Sequence, residues 1–99
     1  MSHTVVATFK IKPEYTSEFQ QLLDDPDHGL SVTKGWEGCV SLEQYVDLDD
    51  PNTIVLWEKW KLRQNHQSYL EMRTTTGFFD KVGPMFAVEP AILHLGTAV

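Results

Sequence analysis

The sequence is short of the features that announce several protein classes. A single cysteine, Cys39, occurs among 99 residues, so no internal disulfide is available, and its surroundings match no metal or nucleophile motif. A lone thiol of this kind is expected as a small buried apolar residue. Basic residues are scarce, with eight Lys and Arg against fourteen Asp and Glu and a net charge of −6. That balance works against phosphate backbones and anionic lipid, so neither nucleic acid nor a membrane is an expected partner. No run approaches the roughly 20 apolar residues of a membrane span. The opening Met1-Ser2-His3-Thr4 has neither the basic nor the apolar part of a secretory leader, and a cytoplasmic location is expected. Phosphate-cradling glycine loops, dinucleotide fingerprints and G-x-S-x-G elbows are also missing, which leaves nucleotide binding and acyl-serine chemistry without support.

Aromatic surface, by contrast, is plentiful. Three Trp, five Phe and three Tyr are hard to hide in a chain this short, because the buried fraction of a domain rises with its length. Part of that surface is expected to meet a second copy. The length allows one domain, over residues 1–99.

Hydrophobic periodicity sets the element order. Thr4 to Ile11 is a β-branched and aromatic run stopped by Lys12-Pro13, and it predicts a strand. Pro13 suits a helix start, and Tyr15, Phe19, Leu22 and Leu23 then share one helical face until Asp24-Asp25-Pro26 interrupts it. A short turn or helical piece through Leu30 and Val32 ends at Gly35 or Gly38. Cys39 to Asp47 alternates, Leu48-Asp49-Asp50-Pro51-Asn52 reads as a turn, and Thr53 to Trp60 reads as a strand buried on both faces. The period changes after Trp60: Leu62, His66, Tyr69, Leu70 and Arg73 form a helical stripe ending by Gly77. Phe78, Phe79, Val82 and Phe86 suggest a shorter helical piece broken at Gly83-Pro84, and Pro90 to Leu95 is a last strand. The order β-α-β-β-α-β is the ferredoxin-like arrangement of an α+β protein with a four-stranded antiparallel sheet.

That order carries three short signals: Gly35-Trp36-Glu37-Gly38-Cys39 entering a strand, Asp47 to Asn52 in the hairpin, and Leu56-Trp57-Glu58-Lys59-Trp60 before the second long helix. In order and spacing they resemble the antibiotic-biosynthesis-monooxygenase family, over about the whole chain. The resemblance implies a dimeric α+β barrel, in which the sheet face not covered by helices meets its twin and each subunit keeps a pocket between sheet and helices. It also implies oxidation of phenolic or polyketide substrates by O₂ with no cofactor, although members act on quinols or signalling metabolites, degrade haem, or have no known activity, so fold alone fixes no reaction. Two departures bear on this. The His that many members carry nine residues beyond the strand-ending Trp is Tyr69 here, and the Asn, Trp and His of the haem-degrading branch fall near Thr8, Tyr69 and Phe78 or Phe79. Haem degradation is therefore not expected.

The candidate catalytic set is His66, Tyr69 and Arg73, spaced three and four apart so that a base, a phenol and a cation lie along one side of a helix. Those polar ends are satisfied either permanently by neighbouring side chains or by ligand in a cavity; the second case predicts that Tyr69→Phe costs no more than about 1 kcal/mol. Trp36, Trp57, Trp60 and Phe78 are the expected substrate-binding walls, with Trp57 and Trp60 on opposite faces of one strand. No metal is expected, because His3, His28, His66 and His94 are scattered and no two share an element at ligand spacing. The expected function is a cofactor-independent monooxygenase or related enzyme acting on a small aromatic, quinol-like or enolisable metabolite. The alternatives are a non-catalytic dimeric module for a hydrophobic metabolite, and a cofactor-free isomerase or cyclase.

Overall fold

A computed structural model describes residues 3–98. Strand β1 (His3–Lys10) leads into a single 3-10 turn at Pro13–Tyr15, whose ring-locked first residue starts the turn, and then into helix α1 (Thr16–Asp24). The helix stops where expected, because Asp25 precedes Pro26 and is extended, at φ −61° and ψ 122°. Helix α2 (Leu30–Gly35) follows, then strands β2 (Cys39–Asp47) and β3 (Asp50–Trp60), helices α3 (Arg63–Thr75) and α4 (Phe78–Val82), a 3-10 turn at Gly83–Met85, and strand β4 (Ala91–Leu95). The four strands lie in the order β2-β3-β1-β4 and every pairing is antiparallel, which is the ferredoxin-like sheet of an α+β fold. Among the described residues no helix is long and apolar enough to cross a membrane.

Two strand readings are corrected. The hairpin turn is only Leu48-Asp49, with Asp50 already paired to Asp47, so Pro51 and Asn52 belong to β3. Pro51 is tolerated because β1 pairs with β3 only as far as Thr53, leaving this end of β3 outside the β1 ladder. Nor is β3 buried on both faces. Ile54, Leu56, Glu58 and Trp60 are buried under the helices, whereas Val55 is half-buried and Trp57 and Lys59 are exposed on the other face. All the helices that could cover this strand lie on one side of the sheet, so period two divides its residues cleanly. Cys39 is half-buried rather than fully buried, since it begins the edge strand β2.

The uncovered face is rich in apolar side chains. Val6 pairs with both Trp57 and Leu93, so all three share that face, and Tyr45, Val55 and Leu95 fall on it by the same registers. Trp57 is 39% exposed, Leu93 57% and Tyr45 49%.

On the covered face the core joins Ala7, Leu56 and Ile54 of the sheet to Phe19 and Leu23 of α1 and Val82 of α4. The entry to α3 depends on a glycine. Gly38 has φ +86°, and a Cβ there would fall 2.2 Å from Asn65 Cγ. Asn65 Oδ1 accepts the Leu62 backbone N–H at 3.2 Å and so closes the first turn of α3. Leu62 itself flanks the helix and is 56% exposed, so it does not belong to the buried stripe of α3. The buried members of that helix are His66, Tyr69 and Arg73, the polar ones.

Candidate functional site

A cavity of about 340 Å³ lies between the covered face of the sheet and the helices. Ala7, Leu56 and Ile92 contribute its sheet side, Phe19 and Leu23 its α1 side, and Phe78 and Phe79 one end, so the lining is mostly apolar. Exposed Thr74 and Glu89 also line it and mark its rim. Three polar side chains of α3, His66, Tyr69 and Arg73, reach the same space, joined from β3 by Glu58.

Glu58 is the acid that residue-by-residue reading overlooked. It lies within the Leu56-Trp57-Glu58-Lys59-Trp60 signal, and strict alternation places it on the face of Ile54, Leu56 and Trp60, where a carboxylate is costly. A charged residue in phase with a buried apolar set was the available signal. Glu58 is 4% exposed and accepts the Trp60 indole N–H at 3.0 Å. Burial pushes its pKa up, with the Trp60 hydrogen bond pulling the other way. His66 Nε2 stands 3.9 Å from Glu58 Oε1, beyond hydrogen-bond range, and His66 Nδ1 is buried with no partner. Burial lowers the His66 pKa to about 4, with His94, His3 and Arg63 adding repulsion, so the ring is neutral at pH 7.

Tyr69 and Arg73 are occupied in a different way. Arg73 Nε donates to the Tyr69 hydroxyl at 2.7 Å, and the Tyr69 hydroxyl is bonded in turn to Thr33 of α2. The two terminal nitrogens of Arg73 donate to the carbonyls of His28 at 2.7 Å and Gly29 at 2.8 Å, just ahead of α2. The guanidinium lies over the Phe78 ring at 4.2 Å, and among the described residues no carboxylate lies within 4.0 Å of it. Gly29 permits this approach, since a Cβ there would fall 2.2 Å from the Leu23 carbonyl oxygen. For Tyr69 and Arg73, then, protein neighbours supply the hydrogen bonds, the first of the two cases weighed from sequence. The small stability cost that went with the second case for Tyr69→Phe therefore does not apply.

Phe78 lines the cavity, but Trp36, Trp57 and Trp60 do not. Trp60 stands behind the wall, fully buried, with its ring centroid 5.5 Å from that of Tyr69 and 5.4 Å from that of His66. Trp36 packs against Tyr69 from the α2–β2 loop, and Trp57 points to the uncovered face. The histidines also need correction: His3, His66 and His94 are neighbours, because β1 pairs with β4 and His66 of α3 packs against His94. Only His28 lies apart, at the α1–α2 loop beside Asp25. Among the described residues no group of three or more His, Cys, Asp or Glu is arranged to hold a metal ion.

A sequence model of the family described as antibiotic biosynthesis monooxygenase matches residues 2–80. No curated protein matches the sequence. Similar solved structures include a Mycobacterium tuberculosis protein, 22% identical with a TM-score of 0.85 over 100% of this chain and 97% of that one. A conserved protein from Methanosarcina mazei is 23% identical at a TM-score of 0.83, covering 96% of this chain and 91% of its own. A Nitrosomonas europaea protein, provisionally named an antibiotic biosynthesis monooxygenase, is 18% identical at 0.83 over 98% and 99% of the two chains. At such identities the likeness is one of fold.

Two outcomes follow from these contacts. Tyr69→Phe leaves Arg73 Nε and the Thr33 hydroxyl without their buried partner, and should lower the unfolding free energy by about 1–3 kcal/mol in urea titrations. A loss below a few tenths would contradict the network. Stability should also depend on pH through His66. Its folded pKa of about 4 lies below the ordinary 6.5, so the unfolded chain binds more protons between those values and stability rises with pH across that window. The contribution is complete above about pH 6.5 and falls, by on the order of 3 kcal/mol, as pH drops toward 4. Glu58, with its raised pKa, opposes this trend above its own unfolded value. His66→Gln should flatten the decline, and equal slopes for variant and wild type would count against it.

Proposed function

The chain belongs to the antibiotic biosynthesis monooxygenase family, and on that premise we propose that it is a cofactor-independent monooxygenase for a small aromatic, quinol-like or enolisable metabolite held in the cavity. The observation that carries this reading is the neutral His66, which has a buried unpartnered nitrogen and lines a mostly apolar cavity beside Glu58. A neutral imidazole accepts a proton from an acidic O–H or C–H of the ligand. The imidazolium formed is stabilised by Glu58 as a carboxylate 3.9 Å away. The substrate anion gains from Arg73, a buried cation with no carboxylate partner among the described residues. The electron-rich anion then passes one electron to O₂, the substrate radical and superoxide combine at carbon as a peroxide anion, that anion takes back a proton, and loss of water from the hydroperoxide leaves one oxygen atom on the substrate as a carbonyl. The Phe-lined walls keep bulk water from these intermediates.

One observation favours a second reading, a non-catalytic module for a hydrophobic metabolite. The polar atoms of Tyr69 and Arg73 are already bonded within the protein, which leaves His66 as the one of the three with an unpartnered atom. Oxygen uptake separates the readings. With a panel of phenols, quinols and 1,3-dicarbonyls, turnover should consume O₂ in step with substrate, and His66→Gln should bind ligand yet turn over about 10²–10⁴-fold more slowly. Ligand binding without turnover favours the storage module, and turnover without O₂ uptake favours an isomerase or cyclase; either result overturns the oxygenase reading.

We further propose that the working form is a homodimer joined through the uncovered sheet face. Val6, Trp57 and Leu93 form an apolar row there, and an obligate interface of this type buries more than about 2,000 Å² in total. Light scattering at micromolar concentration should give twice the 11.3 kDa chain mass, and Leu93→Asp should give monomer. A wild-type monomer would defeat the proposal.

A further inference from the structure

Three of the four histidines, far apart in sequence, form a row that starts at Glu58 and ends in solvent. Glu58 on β3 lies 3.9 Å from His66 Nε2. The His66 ring packs edge-on against His94 of β4, with centroids 5.5 Å apart and planes at 71°. His94 Nδ1 and His3 Nε2 are 2.9 Å apart in a hydrogen bond. The row passes from interior to surface in one step: His66 is 2% exposed, His94 beside it is exposed, and His3 beyond is half-buried. Neither His3 nor His94 lines the cavity, so substrate contact does not account for them.

We propose that Glu58, His66, His94 and His3 form a proton path between the cavity and bulk water, with His94 and His3 as its outlet. The inference rests on reading His66 as the group that handles the substrate proton. That reading creates a need. Oxygenation with loss of water releases no net proton, so the proton taken from the ligand has to be passed outward and one returned to the peroxide while ligand fills the cavity and blocks direct contact with solvent. Imidazole suits the task, because it accepts a proton at one nitrogen and releases the other from the opposite nitrogen, with no net change in its own state. The proton moves from the ligand to His66, crosses to His94 and leaves through His3 or directly to water. Glu58 balances the transient charge on His66. Among the described residues no hydrogen bond joins the His66 and His94 rings, which are in edge-on contact, so the transfer requires the exposed His94 ring to turn.

The charged and titratable groups around His66 hold a proton toward the inner end of the row, so it passes the outlet without resting there. Glu58 faces it from β3, His94 from β4, His3 from β1 and Arg63 from its own helix. Among the described residues the acid facing His66 is Glu58 at the inner end, while Arg63 and two imidazoles surround the outer end. A proton on His66 is therefore repelled by cations outward and held by the carboxylate inward, and it does not rest on the outlet. His94 has its own pKa lowered, first by burial and then by Arg63 and His3. A shared metal is a poor account of the same residues, since among the described residues they do not converge as a ligand set.

The test follows the exchange of the His66 ring N–H with water by ¹⁵N-resolved saturation transfer, on the full chain and without substrate. His94→Phe keeps an aromatic ring against His66 and removes the nitrogens, at an exposed strand position where folding is retained. His94→Gln serves as the second variant, and melting temperatures check both. Exchange should slow at least about tenfold in each variant, and imidazole added to the buffer should restore it, as an external general base replaces the missing one. Wild-type exchange rates in both variants would overturn the path, as would a slowed rate that imidazole does not restore. No substrate is present, so the result stands apart from the oxygen-uptake experiment. The path can fail while the oxygenase reading survives, and the reverse.

Discussion

Arg73 is 5% exposed, and its guanidinium holds three separate pieces of the chain. It bonds the Tyr69 hydroxyl within α3, the carbonyls of His28 and Gly29 in the α1–α2 loop, and lies over Phe78 at the start of α4. A buried charge is tolerated only when its donors are satisfied, and here neutral carbonyls and a phenol do so without a carboxylate. The positive charge is thus distributed but not neutralised. The same contacts that set α1, α2 and α4 around α3 therefore give one wall of the cavity a fixed cationic character.

The opposite polar pair behaves differently. Glu58 and His66 share a buried site without a close hydrogen bond between them, and His66 keeps an orphan nitrogen. An unpartnered buried group costs free energy that a purely structural role would have no reason to retain. Burial disfavours charge on both residues, raising the acid and lowering the base, so each is closer to its neutral form than in water. Such a pair changes its charge readily when a ligand proton arrives, and this separates it from the saturated Tyr69–Arg73 network one turn further along the helix. Satisfied and unsatisfied polar groups thus stand side by side on a single helix face.

The outer side of the sheet completes the arrangement. Because the helices cover only one face, β3 turns its cavity-lining residues Leu56 and Glu58 inward and its apolar surface outward at Val55 and Trp57. One strand thereby contributes to the cavity and to the face through which a second copy would bind.

Much of this was legible in residue order. Periods of two and of 3.6 separate strands from helices, prolines and glycines mark their ends, and the β-α-β-β-α-β order leads to the sheet topology, because these are local properties of the backbone. The stripe of His66, Tyr69 and Arg73 was readable for the same reason, as helical spacing alone puts them on one side. Local pattern also located Trp57 and Trp60 on opposite faces but could not say that both miss the cavity, which depends on how far each ring reaches past its neighbours. The roles within the stripe were likewise hidden, since Tyr69 and Arg73 are saturated by Thr33 and by two loop carbonyls about 40 residues away. Glu58 beside His66, and His66 beside His94 and His3, are pairings across β1, β3, β4 and α3. Local sequence determined which residues share a face; only tertiary packing, which sets distances between faces of different elements, decided which polar groups were satisfied and which was left with a nitrogen free.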